Sequence, residues 1–117
     1  MTTFYGYSKC STCRKAKQYL QKRGVPFEEI EITTAPPPKS LLAAIVRSGE
    51  YALGELFNRS GELYRTMKIK DRIKTSTESE LLSLLARHGK LIKRPIVTDG
   101  ARHTVGFDEA RMKRVWG

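Results

Sequence analysis

The two cysteines of this 117-residue chain, Cys10 and Cys13, stand in the stretch Lys9-Cys10-Ser11-Thr12-Cys13-Arg14-Lys15. A disulfide across a two-residue spacer closes so short a loop that it adds little to stability. The pair therefore fits a redox dithiol or half of a metal site better than a structural staple. Structural zinc usually takes four protein ligands, often two such pairs. Here the only histidines, His88 and His103, are fifteen residues apart and outside ligand spacing. No metal is expected, and thiol–disulfide chemistry is the favoured reading. That chemistry needs one sulfur ionised for attack and a second thiol to displace the adduct.

The flanking residues supply both positions. Thr3-Phe4-Tyr5-Gly6-Tyr7 is rich in aromatic and β-branched residues and reads as a short strand. Ser8 through Thr12 are turn and cap formers, and Ser11 and Thr12 support the helix start. From Cys13 onward, Cys13, Ala16, Tyr19 and Leu20 follow helical spacing, and Gly24 sits where a C-terminal cap glycine belongs. Cys10 thus falls in the turn before a helix N-terminus, where free N–H groups and the positive dipole end favour a thiolate. Lys9, Arg14 and Lys15 add positive charge, with no carboxylate between Met1 and Val25 to oppose it. A lowered Cys10 pKa is expected. Cys13, about one turn into the helix, is expected to be less exposed and to resolve a mixed disulfide on Cys10.

Further along, Phe27 to Ile32 reads as a second strand, completing a βαβ unit, and Thr33 to Pro38 as a stiff connector. Lys39 to Ser48 is expected to be a helix with Leu41, Leu42, Ile45 and Val46 inward. A short helix around Tyr51, Leu53, Leu56 and Phe57 breaks at Ser60-Gly61, and a second carries Leu63, Tyr64 and Met67. Thr77-Glu78-Ser79-Glu80 fits a capping box for a helix burying Leu81, Leu82, Leu84 and Leu85. Ile96-Val97-Thr98 and His103 to Phe107 form a hairpin around Asp99-Gly100, with a turn that can extend to Arg102. Asp108 caps a last helix, acidic in its first turn and basic in its last. A βαβ and a ββα unit sharing one sheet give an α/β, thioredoxin-like plan. It is read as one domain over 1–117, with its core about 1–34 and 91–117 and a helical insertion about 35–90.

Composition limits the alternatives. Hydrophobic residues make up 39% and charged residues 29%, an ordinary globular mixture. Twenty-two Lys and Arg against 12 Asp and Glu leave a net charge of +10, which attracts anions without choosing among them. The cluster Arg65, Lys68, Lys70, Arg72 and Lys74 has no accompanying nucleic-acid motif and reads as a solvated basic face. No direct nucleic-acid binding is expected. No apolar run approaches the ~20 residues of a membrane span, and no signal peptide is visible, so a cytoplasmic location without membrane contact is expected.

Four stretches together carry a family resemblance: Tyr7-Ser8-Lys9-Cys10-Ser11-Thr12-Cys13-Arg14-Lys15-Ala16, Leu56-Phe57-Asn58-Arg59, Lys93-Arg94-Pro95-Ile96-Val97 and Thr104-Val105-Gly106-Phe107. Along nearly its whole length the chain resembles the arsenate reductase-like family, often called ArsC/Spx. The resemblance implies Cys10 as nucleophile, Arg59 and Arg94 as two of the arginines that hold an oxyanion or thiol substrate, and Pro95 as a cis-proline facing the active cysteine. Forked guanidinium donors suit a tetrahedral oxyanion. It implies no bound cofactor, and glutathione or a glutaredoxin or thioredoxin system as reductant.

The family's reductases carry a third arginine where this chain has Val105-Gly106-Phe107, and they commonly lack a counterpart of Cys13. Both differences point toward the Spx-like and uncharacterised branches. In Spx-like regulators the CxxC is a redox switch and the partner is the RNA polymerase α subunit. Those regulators carry a glycine about where Tyr51 stands and a longer basic C-terminal tail. The expectation is a cytosolic thiol–disulfide oxidoreductase of arsenate reductase-like type, with a redox-switched transcription regulator as the alternative.

Overall fold

Strict alternation of buried and half-buried residues makes Thr2–Gly6 a strand, β1, with Thr2, Phe4 and Gly6 inward in the computed structural model, which describes residues 2–117. Strand β2 (Phe27–Glu31) pairs parallel to it, with Phe4 opposite Glu29. Strand β3 (Ile96–Thr98) lies antiparallel on the other side of β1, with Phe4 opposite Val97, and β4 (His103–Val105) is antiparallel to β3. The order is β2-β1-β3-β4. Helix α1 (Ser11–Lys22) makes the crossover between the parallel strands, and α6 (Glu109–Trp116) follows β4.

Helices and sheet meet in one apolar cluster. Cys13, Ala16 and Leu20 of α1, Met112 and Trp116 of α6, Phe4 of β1 and Val97 of β3 are buried together. Removing side chains of the size of Phe4 and Leu20 from water is worth about 1.5–3 kcal/mol each. Trp116 satisfies its indole by donating from Nε1 to Thr104 Oγ1 at 3.0 Å. This mixed sheet, with α1 and α6 packed into one cluster on it, is the thioredoxin-like α/β fold.

The ends of the elements follow local chemistry. Helix α1 stops where Gly24 turns left-handed at φ 70°. The β3–β4 turn takes the longer of its two expected forms. Thr98 pairs with His103, and the Asp99 carboxylate accepts from the N–H groups of Ala101 and Arg102. Strand β4 ends at Val105 rather than at Phe107. Gly106 turns the chain at φ 73° and donates its N–H to the Pro95 carbonyl at 2.8 Å. Asp108 caps α6 by accepting from Arg111 N–H.

Packing divides the chain into two units. The sheet, α1 and α6 form one, which runs up to Ile32 and resumes over Arg94–Gly117; Thr33–Lys93 forms the other. In the second, α2 (Lys39–Arg47) packs against α5 (Glu78–Arg87), burying Leu42 and Ile45 against a helix whose Leu81, Leu82, Leu84 and Leu85 are inward. Leu41 and Val46 are only half-buried, so the inward stripe of α2 is narrower than expected. The Thr77–Glu80 capping box forms as read, with Thr77 Oγ1 accepting from Glu80 N–H at 3.1 Å. A 3₁₀ turn over Leu53–Leu56 leads to Phe57, which bridges Ile92. Helices α3 (Glu62–Thr66) and α4 (Ile69–Thr75) are separated by Lys68 at φ 53°. Among the described residues, no helix is long and apolar enough to cross a membrane.

Candidate functional site

Cys10 is the N-cap residue of α1. Its backbone is extended (φ −108°, ψ 118°), its N–H donates to Tyr7 O at 3.2 Å, and its carbonyl accepts the first helical bond from Arg14 N–H. A cap side chain normally offers oxygen to the orphan N–H groups of the first turn. Here sulfur does so: Cys13 N–H donates to Cys10 Sγ at 3.3 Å. The first turn of α1 contains no acidic residue. Its start leaves uncompensated N–H groups and the positive dipole end beside the sulfur.

Two further groups act on that atom. The thiol of Cys13 and the guanidinium of Arg94 both favour its charged form. Burial pushes the Cys10 thiol up, but the bonds from the Cys13 thiol and backbone, then the bond and charge of Arg94, outweigh it. The net direction is downward. Cys13 moves the other way. It is buried, at 4% exposure, and its pKa is pushed up to about 12, first by that burial and then by its bond to Cys10 and the repulsion of a second sulfur charge. Tyr7 N–H donates to Cys13 Sγ at 3.4 Å and Arg94 is attracted to it, but neither reverses the direction. Both cysteines are free. The surroundings thus favour ionisation of Cys10 and hold the proton on Cys13.

Arg94 is half-buried, and its guanidinium lies 4.7 Å from the centroid of the Tyr7 ring. The Arg94–Pro95 peptide bond is cis, and Pro95 is buried. Arg94 is thus seated on an aromatic face, and its charge favours the ionised form of Cys10. Ser11 and Arg14 are exposed and Thr12 half-buried, all in the first turn of α1. Lys9 and Lys15 are exposed as well. Beside Cys13, a cleft of about 450 Å³ runs between α1 and the sheet, lined by Tyr7, Ser8, Arg14 and Glu29 among others. Lys17 on α1 and Glu29 on β2 both line it and pair at 2.6 Å.

Arg59 belongs to the helical unit. It is exposed, with its Nη2 3.2 Å from where a Cβ on Gly54 would stand, so a side chain there would crowd it. It lines a cleft of about 420 Å³ with Glu55, Phe57, Asn58, Ser60 and Lys93. The Glu55 carboxylate in that cleft is engaged by Ala52 N–H at 2.9 Å. Among the described residues, no group of three or more His, Cys, Asp or Glu could hold a metal ion. Half-buried His103 shares a 2.8 Å hydrogen bond with Thr98 Oγ1 in the hairpin.

Sequence reasoning passed over Tyr7 as a functional residue. Its backbone bonds both cysteines and its ring carries Arg94, and the signal was its place at the head of the first family stretch, three positions before Cys10.

The ArsC family's sequence model matches residues 5–115. The uncharacterized protein YusI of Bacillus subtilis is 45% identical over 97% of this chain and 97% of its own length. The global transcriptional regulator Spx of Streptococcus pneumoniae R6 is 31% identical over 97% of this chain and 84% of its own. Among solved structures, a possible arsenate reductase from Streptococcus mutans UA159 superposes with a TM-score of 0.89. It is 36% identical and covers 97% of both chains. The matched range takes in the strand-to-helix turn, the helical segment and the Arg-Pro strand, and on it the chain belongs to the ArsC family.

Proposed function

We propose that the protein is a thiol–disulfide oxidoreductase in which Cys10 attacks and Cys13 resolves. The observation that carries this reading is a sulfur at the N-cap of α1 that accepts from Cys13 N–H at 3.3 Å and whose charged form Cys13 and Arg94 both favour. In the first step the Cys10 thiolate attacks one sulfur of a disulfide R–S–S–R′. A Cys10–S–S–R bond forms and R′–S⁻ leaves. Cys10 then no longer bears charge or accepts the Cys13 proton, and two of the influences that hold Cys13 protonated disappear. Cys13 loses its proton to solvent and attacks Cys10. The Cys10–Cys13 disulfide forms, R–S⁻ leaves, and two electrons have passed from the dithiol to the substrate. A glutathione, glutaredoxin or thioredoxin system returns the pair to the dithiol. A reducing compartment such as the cytoplasm suits a resting dithiol.

Arg94, with Pro95 beside it, would hold the anionic part of a small thiol or oxyanion substrate, and Arg59 would serve an oxyanion in the same sense. The test is direct. Given a small disulfide, Cys13→Ser should accumulate a stable mixed disulfide on Cys10, seen as the added mass of one substrate half. Cys10→Ser should form none. An adduct on Cys13 in the Cys10→Ser variant, at the rate of the intact protein, would reverse the assignment. With arsenate, glutathione and glutaredoxin, turnover that depends on Cys10 and falls in Arg59→Gln would extend the activity to oxyanions. NADPH consumption unaffected by either change would remove that extension.

The likeness to Spx supports a second reading, in which oxidation of the same dithiol governs binding to the RNA polymerase α subunit. Capture of its C-terminal domain that differs between reduced and oxidised protein would favour it. Absence of binding in both states would dismiss it.

A further inference from the structure

We propose that Tyr7 is a positioning residue for Cys10. The face of its ring is a shelf that holds the Arg94 guanidinium against the Cys10 sulfur. This rests on the role given to Cys10 above and adds a residue that family motif and composition leave without a part. Three contacts meet at Tyr7. Its carbonyl accepts the Cys10 N–H at 3.2 Å, its N–H donates to Cys13 Sγ at 3.4 Å, and the Arg94 guanidinium carbon lies 4.7 Å from its ring centroid. The first two belong to the backbone and any side chain would keep them. The third belongs to the ring alone. An arginine side chain is long and loses rotamer freedom when it is fixed. A flat ring with a negative face both orients and attracts the cation, within the ~6 Å at which such pairs are favourable.

The charged and titratable groups around Cys10 are few. Cys13 faces it from α1 and Arg94 from the segment before β3. Lys9 flanks it in the chain, and Arg14 and Lys15 stand exposed on the first turn of α1. Of the cations, only Arg94 favours the charged form of the sulfur and is seated on an aromatic neighbour. Removing the shelf leaves its charge in place but frees the guanidinium to move into water. Tyr7→Leu is therefore expected to act through Arg94, and Tyr7→Phe, which keeps the ring, to act hardly at all.

The experiment follows alkylation of Cys10 by iodoacetamide against pH, resolved by peptide mass spectrometry, in proteins whose far-ultraviolet circular dichroism matches that of the parent. Tyr7→Leu should move the alkylation midpoint upward and slow the reaction at neutral pH roughly 3–10-fold, as expected for a lost cation–π contact. Tyr7→Phe should stay within about 2-fold of the parent, the range left to a ring kept without its hydroxyl. In an Arg94→Gln background Tyr7→Leu should add nothing, a non-additivity that a general loss of packing would not produce. Three results would overturn the proposal. They are an unchanged midpoint in Tyr7→Leu, a Tyr7→Phe shift as large as that of Tyr7→Leu, or full additivity with Arg94→Gln. A parent midpoint at the ordinary thiol value would instead overturn the role given to Cys10 itself, so the two failures are distinguishable.

Discussion

At the scale of single residues, the two sulfurs differ because of their partners rather than their chemistry. Cys10 caps a helix and has its charged form favoured by a guanidinium, whereas Cys13 is buried, which holds its proton on. Arg94 should therefore set the rate more than any surface cation does. Arg94→Gln is expected to slow thiolate attack at neutral pH roughly 10-fold, the order of losing a charge-assisted hydrogen bond. Lys15→Gln should change it less than about 2-fold, because an exposed charge is screened by water and salt. Stopped-flow reaction with a neutral disulfide measures both, and equal effects would remove Arg94 from its place. The cap position of Cys10 was legible in the sequence because it is local, a turn set before a helical period, whereas Lys9, Arg14 and Lys15, expected to lower its pKa, are not among the causes that do so. The seat of Arg94 on Tyr7 was not legible. It depends on where β3 brings a residue remote in sequence, and spacing carries no record of side-chain direction.

At the scale of elements, the fold leans on side chains that satisfy backbone N–H groups at turns and helix starts. Asp99 accepts from two N–H groups in the β3–β4 turn and pairs with Arg102 at 2.8 Å. The N–H of Arg102 leads the influences that hold the carboxyl at about 2, below its ordinary 3.8. A depressed carboxyl pKa stabilises the fold above the unfolded value and ceases to do so as pH falls through the folded one. Asp99→Ala is expected to cost about 1–2 kcal/mol at neutral pH. That deficit should persist down to pH 3.8 and shrink to nothing near pH 2. Denaturant melts at several pH values check it, and a deficit constant down to pH 2 would contradict it. Thr77→Ala should cost about 1 kcal/mol by loss of the cap on α5. Caps and turns of this kind were readable because their residues carry their own partners. Helix α4 was not, since it buries only Ile69 and its basic residues show no apolar period. The end of β4 was missed for a related reason: Gly106 turns the chain within a run that still looks strand-like.

At the scale of the whole molecule, the chain is a thioredoxin-like sheet unit and a helical unit, and the dithiol, Arg94 and Pro95 all belong to the first. The ArsC pattern was legible because its motifs recur at fixed places along the chain. The substrate was not, since its choice rests on side-chain positions that motif spacing does not record. The proposal makes the protein a two-electron carrier, so exposure to excess small disulfide should lower the mass of the reduced chain by about 2 Da, the two protons lost as one dithiol closes. Retention of one substrate half on the intact protein would mean that Cys13 does not resolve.

The ionisation of Cys10 in the reduced protein is the most direct measurement, followed as peptide-resolved alkylation between pH 4 and pH 10, a range chosen to span the ~8.5 of a free thiol. A midpoint well below that value, with Cys13 unreactive throughout, is the expected result. A Cys10 midpoint at or above it would contradict the assignment of this sulfur as the attacking group.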